Sequence, residues 1–292
     1  MANLSDIRSR ISSVKNTQKI TQAMKLVSAA KLKRAQGRIT RLRPYAISLR
    51  TSIADIAVTQ RVSHPLLSRS ENPKNVLLVV LTSDRGLCGG FNANINKFAM
   101  NYYKENKDNY QKLDFIFVGK KGKDYFKHRG VEGIDTILDL AREVSYALAA
   151  EVAEKLKHEF SEGDYDEIRL VYNEFKSPIQ QDVVCETILP VDIGQSELNS
   201  EEVLFSKDLI FEPEPEMMID VLLKKHFSTQ VYRAMTESVA SEHGARMTAM
   251  DNSTKNANEM IDSMTLTYNK LRQAAITTEL TEIVSGAEAL NG

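Results

Sequence analysis

A Gly-rich loop, Thr82–Asn92, contains the residue types that most resemble an enzyme site. It follows an apolar run that predicts a buried strand, and Gly-rich turns between a strand and a helix bind phosphate through backbone amides and the helix N-terminus. The loop has neither GxGxxG nor Gly-Lys-Ser/Thr, and Asp84 would repel a phosphate. We therefore expect a structural loop in which the glycines permit a tight turn and Asp84 pairs with Arg85. Nucleotide binding stays open as the alternative.

The histidines and cysteines form no pattern typical of catalysis or metal binding. The five histidines lack metal-ligand spacing, and Cys88 and Cys185 belong to no CxxC motif. No serine lies in a nucleophile elbow. We therefore predict no catalytic residue, no metal site and no cofactor. The two cysteines are expected to be free thiols in a reducing compartment.

The formal net charge of −1 conceals an uneven distribution. Residues 1–61 hold thirteen basic and two acidic side chains, a balance of +11, which leaves −12 on residues 62–292. A basic segment of this kind binds acidic protein, phosphate or a membrane surface. No nucleic-acid partner is expected, because the base-reading and stacking elements of known modules are missing. No apolar run approaches the roughly 18–20 residues of a membrane-spanning helix.

Heptad spacing predicts a long helix over residues 1–61. Apolar residues in the stretches 4–14 and 32–56 share one coiled-coil seam, but polar side chains occupy that seam in between. In the polar stretch the apolar face rotates onto residues such as Ile20 and Val27. This rotation predicts that the helix changes neighbours midway.

A second long helix is predicted over residues 212–292. Prolines and acidic residues at 212–216 favour helix initiation there, because Pro suits the first turn and acids suit the positive end of the helix dipole. An apolar seam then runs from Ala240 to Ala275 and shifts near the end onto Leu280. Two long heptad helices at opposite ends of one chain predict an antiparallel coiled coil.

The middle of the chain alternates predicted strands and helices. It begins with the continuously apolar run 76–81, which is typical of a strand buried on both faces, and this alternation predicts a largely parallel, Rossmann-like open sheet. The acidic stretch 192–216 is predicted to connect this sheet to the last helix, with a short strand at 208–211. The fold class is therefore α+α/β, with three domains. They are an N-terminal coiled-coil helix (1–61), a central α/β domain (74–205) and a C-terminal coiled-coil helix (212–292).

Four motifs resemble those of ATP synthase gamma subunits and occur in the same order. They are ITQAMKLVSAAK at 20–31, SDRGLCGG at 83–90, SEHGARMTAM at 241–250 and YNKLRQAAITTELTEIVSGA at 268–287. The last motif matches the family signature at essentially every fixed position. The chain lacks the cysteine pair that is inserted in chloroplast members, so thiol regulation is not expected.

The resemblance implies a non-catalytic central stalk (gamma) subunit of an F-type ATP synthase. In the family, the paired terminal helices stand inside a ring of alternating alpha and beta subunits. The globular domain and the foot of the shaft attach to the epsilon subunit and to the membrane ring of c subunits. Proton or sodium flow turns the c ring and the shaft, and the asymmetric shaft drives each beta site through its binding states.

The resemblance also implies where the subunit works and which residues make contacts. One copy per complex is expected at the cytoplasmic face of a bacterial inner membrane, with the membrane reached only through the complex. Seven residues are expected to contact the beta subunit: Arg272, Gln273, Met24, Lys25, Thr277, Glu279 and Glu282. Two resemble the foot that meets the c ring: Phe211 and Glu212. Ordinary coiled-coil packing is the alternative for Met24.

The seam shifts near Ile20 and Leu280 are expected to mark where the shaft leaves its own partner for an apolar sleeve of the ring. Two other classes of protein remain as alternatives. A coiled-coil adaptor unrelated to ATP synthesis would purify without a nucleotide-hydrolysing partner. A small α/β enzyme with helical arms would bind a nucleotide or metabolite as an isolated chain.

Overall fold

The computed structural model describes residues 4–60, 64–67, 72–138, 144–162, 165–191, 212 and 214–291. The elements within these residues are α1 (Leu4–Gln60), a short 3-10 helix (Pro65–Leu67), β1 (Asn75–Leu81), α2 (Phe91–Asn106), β2 (Lys112–Val118), α3 (Lys120–Lys127), β3 (Asp135–Ile137), α4 (Tyr146–Glu162), β4 (Glu167–Phe175), β5 (Gln181–Leu189) and α5 (Pro215–Asn291). The chain divides into two compact units, the coil unit (residues 1–28 and 247–292) and the sheet unit (residues 29–246).

The sheet unit is built on one five-stranded sheet in the order β3-β2-β1-β4-β5. The first four of these strands run parallel, and β5 pairs antiparallel with β4. The predicted fold class, with a largely parallel open sheet, is confirmed. The three-residue strand β3 was not predicted, because it is short and its side chains are only half-buried.

Helices cover both faces of this sheet, and β1 lies in the middle. Residues 76–81 are all buried, as the apolar run predicted, because a central parallel strand has no solvated face. Leu77 and Val79 join an apolar cluster with residues of α1, α4 and α5. Leu78 and Val80 point the other way and join a second cluster with residues of α2.

In the coil unit, α1 and α5 pair in antiparallel directions. Three cross-helix contacts join Gln18 Nε2 to Asn258 Oδ1 at 2.5 Å, Thr21 Oγ1 to Thr254 Oγ1 at 2.8 Å and Lys25 Nζ to Asp251 Oδ1 at 2.6 Å. The partner on α5 moves back by three or four residues each time the residue on α1 advances by three or four. The predicted antiparallel coiled coil is therefore confirmed, and this spacing is that of a heptad seam.

The predicted rotation of the α1 packing face onto residues such as Ile20 is wrong, although α1 does pass from the coil unit to the sheet unit after Ser28. Thr21 and Ser28 lie on the seam and are only 8% and 2% exposed, whereas Ile20 and Val27 on the apolar face are 60% and 57% exposed. The polar seam residues keep facing α5 because α5 offers polar partners at the matching positions. The same seam therefore continues through the polar stretch, and α1 does not leave its partner near Ile20.

The two long helices begin and continue as their local sequences favour. Pro215 is the first residue of α5, where its missing N–H costs no helical hydrogen bond. α1 is continuous through Pro44. The strand expected at 208–211 lies outside the described residues. Among the residues that the structure describes, no helix is both long enough and apolar enough to cross a membrane.

Candidate functional site

The Gly-rich loop after β1 is a closed turn held by its own side chains. Gly89 and Leu87 adopt positive φ angles of 55° and 62°, so the chain reverses tightly there. Asn92 Oδ1 accepts the backbone N–H of Ser83 at 2.9 Å, and the Asn92 amide donates to Cys88 Sγ at 3.2 Å. The Ser83 hydroxyl donates to the Arg85 carbonyl at 2.6 Å. The predicted structural role of the loop is supported by these contacts.

The predicted pairing of Asp84 with Arg85 is wrong. Asp84 Oδ1 accepts the backbone N–H of Lys120, the first residue of α3, at 2.9 Å. The carboxylate therefore satisfies a helix N-terminus that has no side-chain cap of its own, because the residue before it is Gly119. Sequence neighbours were a poor guide here, because Lys120 is brought to Asp84 by the parallel pairing of β1 with β2.

The histidines are dispersed over the described part of the chain. His158 forms an i,i+4 contact with Glu162, and His64 lies 3.5 Å from Asp220. Burial and neighbouring positive charge lower the pKa of His226 and of His243 to about 4, so both are neutral near pH 7. Among the described residues, no group of three or more His, Cys, Asp or Glu side chains could hold a metal ion.

Both cysteines are free thiols with weakened reactivity. Cys88 is a buried residue of the Gly-rich loop itself, and Cys185 is half-buried on β5. Burial raises the pKa of Cys185 to about 11 and also raises the pKa of Cys88. A thiol with a raised pKa is mostly protonated at neutral pH, so neither cysteine is an activated nucleophile.

Two predicted beta contacts, Met24 and Lys25, lie on the coil unit. Met24 is half-buried beside the seam. Lys25 pairs with Asp251, although its side chain is still 42% exposed. The structure therefore gives Lys25 a partner inside the chain and leaves part of its side chain exposed.

The other five predicted beta contacts lie together on the last part of α5. They are all exposed: Arg272, Gln273, Thr277, Glu279 and Glu282. Of these, Thr277 Oγ1 donates to the Gln273 carbonyl at 2.9 Å, which is a contact within one turn of the helix. The polar surface at the end of α5 is thus available to another molecule.

The two predicted foot residues are only partly described. Glu212 is exposed, just before α5 begins. Phe211 lies outside the described residues. The structure therefore places one of the two.

Large apolar side chains are exposed on both helices of the coil unit. On α1 these are Ile20, Leu26 and Val27, and on α5 they are Met260, Leu266, Leu271, Ile276, Leu280, Ile283 and Val284. Of these, only Ile20, Val27 and Leu280 stood out in the sequence. They were assigned to shifts of the packing seam rather than to an exposed surface. Their exposure indicates surfaces that fit an apolar partner.

The family model described as ATP synthase matches residues 3–290. The chain is 60% identical to the ATP synthase gamma chain of Bdellovibrio bacteriovorus and 46% identical to that of Chlorobium phaeobacteroides, and each alignment covers 100% of both chains. A central-stalk chain of the Tetrahymena thermophila mitochondrial ATP synthase is 28% identical, with a TM-score of 0.61 over 80% of this chain and 98% of that one. A Euglena gracilis ATP synthase chain shares the fold at 24% identity and a TM-score of 0.68, covering 98% of this chain and 94% of that one.

The fold and the exposed surfaces define an interaction protein, with a long antiparallel coiled coil and an open α/β sheet. The comparisons then identify its family. The chain belongs to the ATP synthase gamma chains and is a central-stalk subunit of that complex. An adaptor unrelated to ATP synthesis is thereby excluded.

Proposed function

We propose that this chain is the non-catalytic rotor shaft that couples ion flow through a c ring to ATP synthesis or hydrolysis on beta subunits. Its partners are one ring of alternating alpha and beta subunits, the epsilon subunit and the c ring, with one copy of the chain per complex. The complex lies at the cytoplasmic face of a bacterial inner membrane. The helices over 1–61 and 212–292 form the shaft, and the domain over 74–205 serves its attachment.

The unpaired end of α5 is the observation that carries this proposal. The three cross-helix contacts join residues whose numbers add to 275 or 276, so Leu4, the first described residue of α1, lies opposite Arg272. From Gln273 to Asn291, α5 has no partner helix in the described part of the chain. Nineteen residues of helix extend about 28 Å. Most helical stability in proteins comes from the packing of an amphipathic face, so a partner that covers this segment would stabilise it.

The side chains on this end are suited to a partner that is apolar in one part and polar in another. Ile276, Leu280 and Ile283 are 52%, 61% and 71% exposed, at a spacing of three and four residues. They form one apolar stripe that fits an apolar sleeve. Arg272 and Gln273 stand at the start of the stripe and supply donors for loops of beta.

Turning of such a shaft would drive the beta sites through differential contacts. A surface with an apolar stripe and a polar start is asymmetric around the helix axis, so each beta subunit meets a different part of it in each orientation. A shaft shifts the equilibrium of a site only when its contacts differ between the states of that site. On α1, Met24 and Lys25 would supply such contacts to an acidic segment of beta.

A pulldown of tagged chain from gently solubilised membranes tests the partnership. Alpha, beta and epsilon subunits with ATPase activity are expected in the eluate, while the isolated chain should hydrolyse no ATP. Recovery of the chain without an ATP-hydrolysing partner, under conditions that keep a control complex intact, would contradict the proposal.

Substitutions at the start of the stripe test the contact residues. Arg272→Ala with Gln273→Ala should slow ATP hydrolysis by the assembled complex, because donors to beta are lost. Lys270→Ala is the matched control, because Lys270 is also exposed and lies about half a turn away on the same helix. Equal activity of the two variants would remove Arg272 and Gln273 from the proposed interface.

A further inference from the structure

The sheet unit has a crevice of the kind in which related folds bind ligands. The connection after β1 leads to β2 on one side, whereas β4 lies on the other side of β1, so the winding reverses between β1 and β4. In open α/β sheets, ligands bind outside the carboxyl ends of the strands at such a point. Here that position lies between the Gly-rich loop after β1 and the turn 176–180 after β4.

Part of α5 occupies this crevice and contacts both of its walls. Ser241 is fully buried, and its hydroxyl donates to the Asn173 carbonyl near the end of β4 at 2.9 Å. Arg246 Nη2 donates to the Gly86 carbonyl of the Gly-rich loop at 3.1 Å. One helix segment of six residues thus holds both loops of the crevice.

Gly244 lies between these two hydrogen bonds and allows the closest approach. A Cβ atom at this position would lie 3.2 Å from both Phe175 Cε2 and Pro178 Cα. The α5 backbone therefore packs directly against the turn after β4, without an intervening side chain. A contact of this kind is stiff, because it has no rotamer freedom and no void.

The guanidinium of Arg246 is held in place from α5 itself. Glu242 Oε1 accepts from Arg246 Nη1 at 2.6 Å, and His243 Nδ1 lies 3.3 Å from the same nitrogen. Arg246 is only 8% exposed, so its charge-assisted contacts are shielded from water. The group that reaches the Gly-rich loop is thus oriented before it makes the contact.

We propose that residues 241–246 fill this crevice, here called the switch-point crevice, in place of a bound ligand. They form a clamp through which torque passes between α5 and the sheet. The inference rests on the proposed shaft function. The segment occupies the place in which a nucleotide would bind, so the crevice serves mechanical attachment. Twisting of α5 about its axis would be opposed at once by the Ser241 bond, the Gly244 contact and the Arg246 bond.

Thiol labelling of the full chain tests the clamp without any partner. Gly244→Val should push α5 away from Phe175 and Pro178 and loosen the Gly-rich loop that contains Cys88, which is 2% exposed. In a Cys185→Ser background, maleimide labelling of Cys88 should then rise about tenfold or more, because loosening exposes the thiol. Gly37→Val is the matched control, since Gly37 lies in α1 with nothing within 4 Å of an added Cβ.

The assembled complex tests whether the clamp carries torque. In inverted vesicles, the ion uptake driven by each ATP hydrolysed should fall about twofold for Gly244→Val and stay unchanged for Gly37→Val. A potential-sensitive dye reports uptake of either ion. Should Gly244→Val fail to assemble, Ser241→Ala removes only one hydrogen bond and should change both measurements in the same direction by less.

Three results would distinguish a failure of the clamp from a failure of its role in torque and from a failure of the proposed shaft function. Protection of Cys88 in both Gly244→Val and Ser241→Ala would overturn the clamp. Faster labelling with unchanged uptake per ATP would overturn its role in torque. A parent complex that hydrolyses ATP without driving any uptake would contradict the proposed shaft function itself, while the labelling result would still decide whether the clamp exists.

Discussion

Lys25 and Asp251 stand 226 residues apart and form an ion pair, with Lys25 Nζ 2.6 Å from Asp251 Oδ1. Lys255 approaches the other carboxylate oxygen of Asp251 at 3.0 Å. The hydrogen bond from Lys25 is the main cause that lowers the pKa of Asp251, and the bond from Lys255 adds to it. Any other acidic group that binds Lys25 must therefore compete with Asp251.

Removal of the ion pair should destabilise the coil unit, and the effects of replacing its two residues should not be additive. Lys25→Ala should lower the midpoint of thermal unfolding, and the same change should have a smaller effect in an Asp251→Ala background. The difference between the effects of Lys25→Ala in the two backgrounds should shrink at high salt, because both charged groups are partly exposed and salt screens them. Circular dichroism melts measure the midpoints, with the exposed Lys15→Ala as control. Additive effects of the two substitutions would show that the pair contributes no coupling.

Acid should destabilise the sheet unit through His226. This side chain is 3% exposed, and burial with the charges of Arg50 and Arg233 lowers its pKa from 6.5 to about 4, against the smaller opposing effect of Glu186. The unfolded chain binds a proton below pH 6.5 and the folded chain only near pH 4. Stability is therefore complete above pH 6.5 and falls by at most about 3 kcal/mol from this residue as the pH falls to 4.

Urea unfolding of wild type and His226→Phe at pH 7 and pH 5 measures this effect. The variant should lose less stability between the two pH values, although His243 keeps a similar shift of its own. His158→Phe is the control, because His158 is on the surface, with its side chain 64% exposed. An identical pH dependence in His226→Phe and wild type would contradict the prediction.

The half-buried thiol of Cys185 should react slowly. Its pKa of about 11 means that far less thiolate is present near pH 8 than for a thiol of the ordinary value of 9.0. In a Cys88→Ser background, maleimide labelling at pH 8 should be roughly 100-fold slower than for a small free thiol, and should rise about tenfold per pH unit. A rate that levels off below pH 9 would show that the pKa is not raised.

Two glycines with positive φ should respond differently to alanine. An added Cβ at Gly119 would lie 2.2 Å from the Thr82 carbonyl oxygen, whereas at Gly130 nothing lies within 4 Å. Gly130→Ala should cost only the backbone strain of about 1 kcal/mol. Gly119→Ala should cost about 3 kcal/mol or more, because backbone must also move. Urea unfolding measures both, and equal losses would be inconsistent with the close contact at Gly119.

Much of the fold could be predicted because it follows from local patterns. The run 76–81 is apolar at every position, and only a strand covered on both faces buries such a run. The heptads at each end of the chain likewise predicted two long helices that pair. These patterns show which side chains are buried. They can be identified from side-chain type and spacing without knowing which element covers them.

Prediction was less successful where polar residues are buried. The polar seam positions such as Thr21 were interpreted as a rotation of the packing face, but Thr254 supplies a matching hydroxyl 233 residues away. Asp84 was assigned to its neighbour Arg85, whereas its partner is a backbone amide 36 residues away. A polar group is stable inside a protein once any partner satisfies it, and the identity of that partner is not a local property.

The sequence by itself determined the two long helices, the alternation of strands and helices in the sheet unit apart from β3, the uneven charge and, through four motifs, the family. Only the tertiary structure decided that Ser241 and Arg246 of α5 contact the end of β4 and the Gly-rich loop, that Gly244 approaches the turn after β4, and that α5 extends beyond Arg272 without a partner helix among the described residues. The physical reason is the separation along the chain between the residues that interact. Periodicity and composition act between residues a few positions apart, whereas these contacts depend on which distant backbone segments the fold brings together.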